Sequence, residues 1–116
     1  METKSVVTAL AALAQESRLA IFRTLVQAGP DGLAAGKIGE ATGIAASSLS
    51  FHLKELAHAD LIDSRQEGRF IIYTARYAAM DALIGFLTEN CCAGVPCLEC
   101  QPAPATSAKK AKGKRP

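Results

Sequence analysis

Two helical patterns, Lys37 to Thr42 and Ser47 to His58, are separated only by Gly43-Ile44-Ala45-Ala46, room for a tight turn and nothing else. A glycine directly after a helical run supplies the left-handed residue that ends a helix. In the second run Leu49, Leu53 and Leu56 lie within about 60° of one another at 3.6 residues per turn, which implies a buried stripe. Ser47, Phe51, Lys54 and His58 fall on the opposite side, with Ser50 flanking them. Downstream, Leu61-Ile62 opens a strand, Arg69 to Thr74 reads as its partner, and Gln66-Glu67-Gly68 supplies a hairpin turn. Short helix, turn, longer helix, hairpin is the order of a winged helix–turn–helix. The expected fold class is therefore mainly α with a β-hairpin.

The flanks complete a small core. Val6, Leu10 and Leu13, with Val7 and Ala14 beside them, make a first helical stripe. A second helix, Glu16 to about Ala28, is expected to bury Leu19, Phe22, Leu25 and Val26, and Gly29-Pro30-Asp31-Gly32 closes it. A last helix runs from about Ala78 to Cys91, with Tyr77, Met80, Ile84 and Leu87 at helical spacing. A chain of 116 residues is one domain and small for independent stability, so burial between two copies would help. Once the helix–turn–helix core is filled, Val6, Leu10, Leu13, Met80, Ile84 and Leu87 remain as the expected dimerisation residues of a homodimer.

The outer face of the second patterned helix suits nucleic acid. The hydroxyls of Ser47, Ser48 and Ser50 can donate to phosphates or base edges, Lys54 suits a phosphate, and Phe51 can meet thymine methyls. Arg65 and Arg69, beside the hairpin turn, can run along or enter a minor groove. The bland alternatives are a solvated helix face with one stray aromatic and ordinary strand-flanking charge. His52, at the edge of the leucine stripe, reads as a packed, hydrogen-bonded histidine. Charge gives no shortcut: the net +2 divides into +5 over residues 101–116 and −3 over the rest, so a DNA surface in the folded part must be local.

All four cysteines fall within ten residues, Cys91-Cys92-Ala-Gly-Val-Pro-Cys97-Leu-Glu-Cys100. Cysteine otherwise scatters into cores as a small hydrophobe. Crowded where a helix meets a Gly/Pro loop, these sulfurs are fit to surround a soft, thiolate-seeking ion. The N-terminus lacks a basic stretch followed by a long apolar run, and no stretch of 18 or so apolar residues occurs, so a cytoplasmic protein with reduced thiols is expected. No acid–base or nucleophile constellation is visible, which excludes an enzyme reading. The expected organisation is a domain over 1–92, a cysteine-rich segment over 93–100 and a disordered basic tail over 101–116.

Ile38-Gly-Glu-Ala-Thr-Gly-Ile44, Ser48-Leu-Ser-Phe-His-Leu-Lys-Glu-Leu56, Ala59-Asp-Leu-Ile62 and Glu67-Gly-Arg69 through Tyr73 closely resemble the ArsR/SmtB repressors over about residues 6–92. The resemblance implies a homodimer, with its first and last helices at the interface, bound to double-stranded DNA at an inverted-repeat operator. It also implies release of the DNA by a metal or metalloid. The Cys-x-Cys pair that many arsenic sensors carry near the helix–turn–helix is missing here. Asp81 and Glu89 are present where other members build a zinc site across their last helices, but neither histidine is. Thr88-Glu-Asn-Cys-Cys92 instead looks like the subgroup that senses trivalent arsenic with C-terminal cysteines. As(III) or Sb(III) binds three thiolates as a pyramid, and Cys91, Cys92 and Cys97 can form that cup, with Cys100 a substitute third ligand or a spare. The alternatives are a zinc, cadmium or lead site, for which Cys97-Leu-Glu-Cys100 has a usual spacing, and a thiol-redox sensor.

Overall fold

A computed structural model describes residues 1–94, so Cys97, Cys100 and the basic tail lie outside the described residues. The elements run α1 (Thr3–Leu13), α2 (Glu16–Ala28), β1 (Leu33–Ala34), α3 (Ala35–Thr42), α4 (Ala46–His58), β2 (Ile62–Glu67), β3 (Phe70–Ala75) and α5 (Tyr77–Leu87), followed by a 3-10 turn at Cys91–Gly94. The three strands form an antiparallel sheet in the order β1-β3-β2. This is the winged helix–turn–helix architecture, with α3 and α4 as the helix pair and β2–β3 as the wing. The chain divides into two compact units, Met1–Phe86 and a second that begins at Leu87.

The core of the first unit gathers Ile21, Phe22 and Leu25 of α2, Ile38 of α3, the leucines of α4, and Leu61, Ile62 and Ala75 around the sheet. On α2 the structure corrects the expected stripe. Ile21 is fully buried and Leu19 lies 44 % exposed, because residues two apart on a helix point about 200° apart. Val26 is only half-buried. Strand β1, absent from the pattern reading, is two residues long and pairs Leu33 with Tyr73 and Ala34 with Ile72.

Local chemistry sets the joints. Gly43 ends α3 in the left-handed region (φ 75°, ψ 12°), and its N–H donates to Gly39 O at 2.8 Å. Thr42 Oγ1 donates to Ile38 O at 2.8 Å and accepts from Ile44 N–H at 3.4 Å, tying the turn to the helix before it. Helix α4 ends in a Schellman motif: Leu61 N–H reaches Leu56 O and Asp60 N–H reaches Ala57 O, with Asp60 at φ 62° where glycine is usual. The Tyr77 hydroxyl donates to the carbonyls of Val26 (3.2 Å) and Leu25 (3.4 Å), last-turn groups of α2.

Two further expectations shift. Glu67 pairs with Phe70, so the hairpin turn is Gly68-Arg69, one position later than read from sequence, with Gly68 at φ 61°. Arg69 therefore sits in the turn and does not open the strand. The last helix ends at Leu87 rather than Cys91, and Asn90 follows in the left-handed region (φ 55°). Cys91 and Cys92 thus occupy a separate turn, Cys91 N–H donating to Thr88 O at 2.9 Å. No single helix among the described residues is long and apolar enough to cross a membrane.

Candidate nucleic-acid interface and thiol pair

Helix α4 carries the candidate reading face. Leu49, Leu53 and Leu56 are 3 %, 3 % and 0 % exposed, which turns this side of the helix toward the core. Ser47, Ser48, Ser50, Phe51, Lys54 and His58 all stay exposed, Phe51 to 56 %. The N-cap, Ala45, offers no side-chain oxygen, so the first-turn N–H groups have no side-chain cap, and Ser47 and Ser48 stand beside them. N–H groups and hydroxyls at a helix start form a donor cluster suited to anionic oxygens.

The two wing arginines separate. Arg65 donates through Nη2 to Asp31 O at 2.8 Å and through Nε to Glu67 Oε2 at 2.6 Å. Its guanidinium is thereby tied to the turn that ends α2. Arg69, at the wing tip, is exposed and has no hydrogen bond or ion pair among the described residues. Behind it Phe70 is 64 % exposed. At the base of the wing Arg76 bridges both Asp63 oxygens, which favours its charged form.

His52 is half-buried, and its Nδ1 lies 3.4 Å from Arg18 Nη1, in keeping with a packed, hydrogen-bonded histidine. Arg18 carries no signal in the sequence pattern, because its side-chain partners are 6 and 34 residues away.

The six residues expected to dimerise fall into three environments. Val6 is 3 % exposed, covered by its own chain and not left over for a partner. Leu13 and Met80 pack partly against the core. Leu10 (41 %), Ile84 (53 %) and Leu87 (61 %) remain exposed, joined by Val7 and Leu19. An apolar groove of about 290 Å³, walled by Leu13, Leu19, Phe22, Met80, Leu83 and Ile84, runs between α2 and α5.

In the second unit, Cys91 is half-buried and Cys92 exposed, their Sγ atoms 3.6 Å apart and not joined in a disulfide. Cys92 (φ 56°, ψ 40°) and Ala93 (φ 57°, ψ 34°) are both left-handed, a conformation that costs an L-residue about 1–2 kcal/mol. Zn–S bonds of about 2.3 Å at tetrahedral angles put neighbouring sulfurs about 3.8 Å apart, so the pair already has nearly the span of one ligand edge. No group of three or more His, Cys, Asp or Glu able to hold a metal occurs among the described residues, and Cys97 and Cys100 lie beyond them.

A helix-turn-helix domain family model matches residues 13–65. The HTH-type transcriptional regulator YgaV of Escherichia coli is 34 % identical over 83 residues, covering 72 % of this chain and 82 % of that protein. Among solved structures, an ArsR-like transcriptional regulator from Rhodococcus sp. RHA1 superposes with a TM-score of 0.65 at 25 % identity, covering 72 % of this chain and 76 % of that one. The homodimeric winged helix-turn-helix DNA-binding domain of Mb0332 from Mycobacterium bovis, a possible ArsR-family regulator, gives 0.60 at 29 % identity, over 75 % of this chain and 81 % of that one. These relatives are transcriptional regulators and not enzymes, and the family model's residues 13–65 take in the whole of α4 and the first residues of the wing. The chain belongs to the ArsR-like winged helix–turn–helix transcriptional regulators.

Proposed function

We propose that the protein is a cytoplasmic, arsenite-responsive repressor. As a homodimer it binds an inverted-repeat operator through α4 and the wing. It leaves the DNA when As(III) or Sb(III) is chelated by Cys91, Cys92 and Cys97, with Cys100 as substitute ligand or spare. The observation that carries a thiolate-ligated ion is the 3.6 Å separation of the Cys91 and Cys92 sulfurs, and their adjacency favours a metalloid, because zinc sites usually separate the first two ligands by about two to four residues. A pyramidal three-sulfur ion closes its S–ion–S angles below tetrahedral, and its edges are correspondingly shorter than those of a tetrahedral site with similar bonds. Binding of the ion displaces the thiol protons. Dimerisation is supported by the exposed Leu10 and Ile84 and by the homodimeric Mb0332 relative.

The test is a mobility shift on an inverted-repeat duplex selected by the protein from a random library. Arsenite should abolish the shift for wild type. Cys91→Ser, Cys92→Ser and Cys97→Ser should each keep DNA binding and lose release, while Cys100→Ser responds nearly as wild type. Release by zinc, cadmium or lead but not arsenite would assign the same cysteines to a divalent metal. Release by diamide, reversed by dithiothreitol, would assign them to thiol redox.

A further inference from the structure

Arg18 joins three helices at one point. It lies in the first turn of α2, where its own N–H donates to the Gln15 N-cap side chain at 2.9 Å. Its Nε donates to Ala12 O at 2.7 Å, a last-turn carbonyl of α1 that no helical N–H can reach. Its Nη1 lies 3.4 Å from Nδ1 of His52, in the middle of α4. A guanidinium is always charged and only donates, so in this contact Nδ1 is the acceptor, the role it has in the Nε2–H tautomer of neutral histidine. His52 in turn meets Phe51 edge to face, the ring centroids 5.7 Å apart. One planar group therefore connects the end of α1 to the residue beside the exposed aromatic of α4.

We infer that Arg18 is a positioning residue for DNA recognition, setting the rotation of α4 through His52. The inference rests on the reading that the exposed face of α4 meets DNA. Leucines on the inner side resist withdrawal of the helix, but their apolar contacts are non-directional. A hydrogen bond near the edge of that stripe resists rotation. A turn of about 20° at the helix's 5–6 Å radius moves an outer side chain by about 2 Å, enough to lose a base-edge hydrogen bond. Lysine cannot replace Arg18, because a compact ammonium on a flexible stem does not present two donors in a fixed fork.

The test measures affinity for the selected duplex, by fluorescence anisotropy over a range of salt, on variants shown by circular dichroism to be folded. Arg18→Lys keeps the charge and should weaken binding at least tenfold with an unchanged salt slope, since no phosphate contact is removed. Asparagine places an acceptor where Nδ1 stood, so His52→Asn should bind near wild type; His52→Gln, which mimics Nε2, should be as weak as His52→Ala. Arg18→Lys combined with His52→Ala should be no weaker than the worse single variant. Imidazole ¹⁵N shifts of the wild type without DNA should show the Nε2–H form at His52. Arg18→Lys binding within twofold of wild type, His52→Gln outperforming His52→Asn, or an Nδ1–H tautomer would each overturn the positioning role. If wild type selects no duplex, the DNA reading fails first.

Discussion

Arg65 Nη2 donates to the backbone carbonyl of Asp31 at 2.8 Å, fastening the wing to the turn that closes α2. Among the described residues Arg65 has side-chain partners and Arg69 has none, so their losses should differ in kind. Arg69→Ala should lower the magnitude of the salt slope of DNA binding by about 1, the signature of one lost phosphate contact. Arg65→Ala should leave the slope unchanged and speed amide exchange in Ile62–Glu67. Equal slope changes for both would assign Arg65 to DNA.

Periodicity located α4, because Leu49, Leu53 and Leu56 repeat at a spacing that only a helix can bury together. It placed Leu19 inside instead of Ile21, because both fit an apolar pattern and only packing decides between them. Strand β1 was illegible: two residues have no alternation, and Leu33-Ala34 is a strand only because Tyr73 and Ile72 lie beside it. At the candidate site the exposed side of α4 was readable from the helical wheel. The ties of Arg65 to Asp31 and of Arg18 to His52 were not, since both span 34 residues. The end of α5 was missed because the pattern around Ile84 and Leu87 carries no stop signal before Asn90.

Gly32 takes φ +71°, and a Cβ there would strike the Tyr73 carbonyl and the Cγ2 methyls of Thr74 and Ile72. Backbone strain and overpacking act together, so Gly32→Ala should cost about 2–4 kcal/mol in urea unfolding at fixed protein concentration. Gly36, where a Cβ meets nothing within 4 Å, is the control and should accept alanine without loss.

Asp60 holds the left-handed position of the α4 Schellman motif, and among the described residues its side chain makes one loose, exposed contact, with Arg76 at 3.8 Å. Substitution by glycine or alanine removes that contact equally, so their difference isolates the backbone. Asp60→Gly should be more stable than Asp60→Ala by about 1 kcal/mol, read as a higher melting temperature. Equal midpoints would mean that α4 ends differently in solution.

The exposed pair Leu10 and Ile84 gives the sharpest handle on assembly. Charged side chains cannot be buried unpaired between two copies, so Leu10→Glu with Ile84→Glu should yield a folded monomer by sedimentation at micromolar concentration. Specific affinity for a full inverted repeat should fall steeply in that variant, while weak binding to a half-site persists. Retention of the dimer would place the interface elsewhere.

Switching by the thiols carries a reciprocal obligation. The ion need not touch DNA; it need only bind better to the conformation that does not fit DNA. A useful coupling is about 1–3 kcal/mol per site, and linkage requires DNA to weaken arsenite binding by the same factor that arsenite weakens DNA binding. Taking the operator from nearly full to nearly empty needs about 5.5 kcal/mol, within reach of two sites per dimer. Titrating arsenite into protein saturated with the selected duplex should therefore give at least fivefold weaker binding than into protein alone. The two factors, measured independently, should agree. Equal arsenite affinity with and without DNA would make Cys91 and Cys92 a scavenging site rather than a sensor, even if both bind the ion.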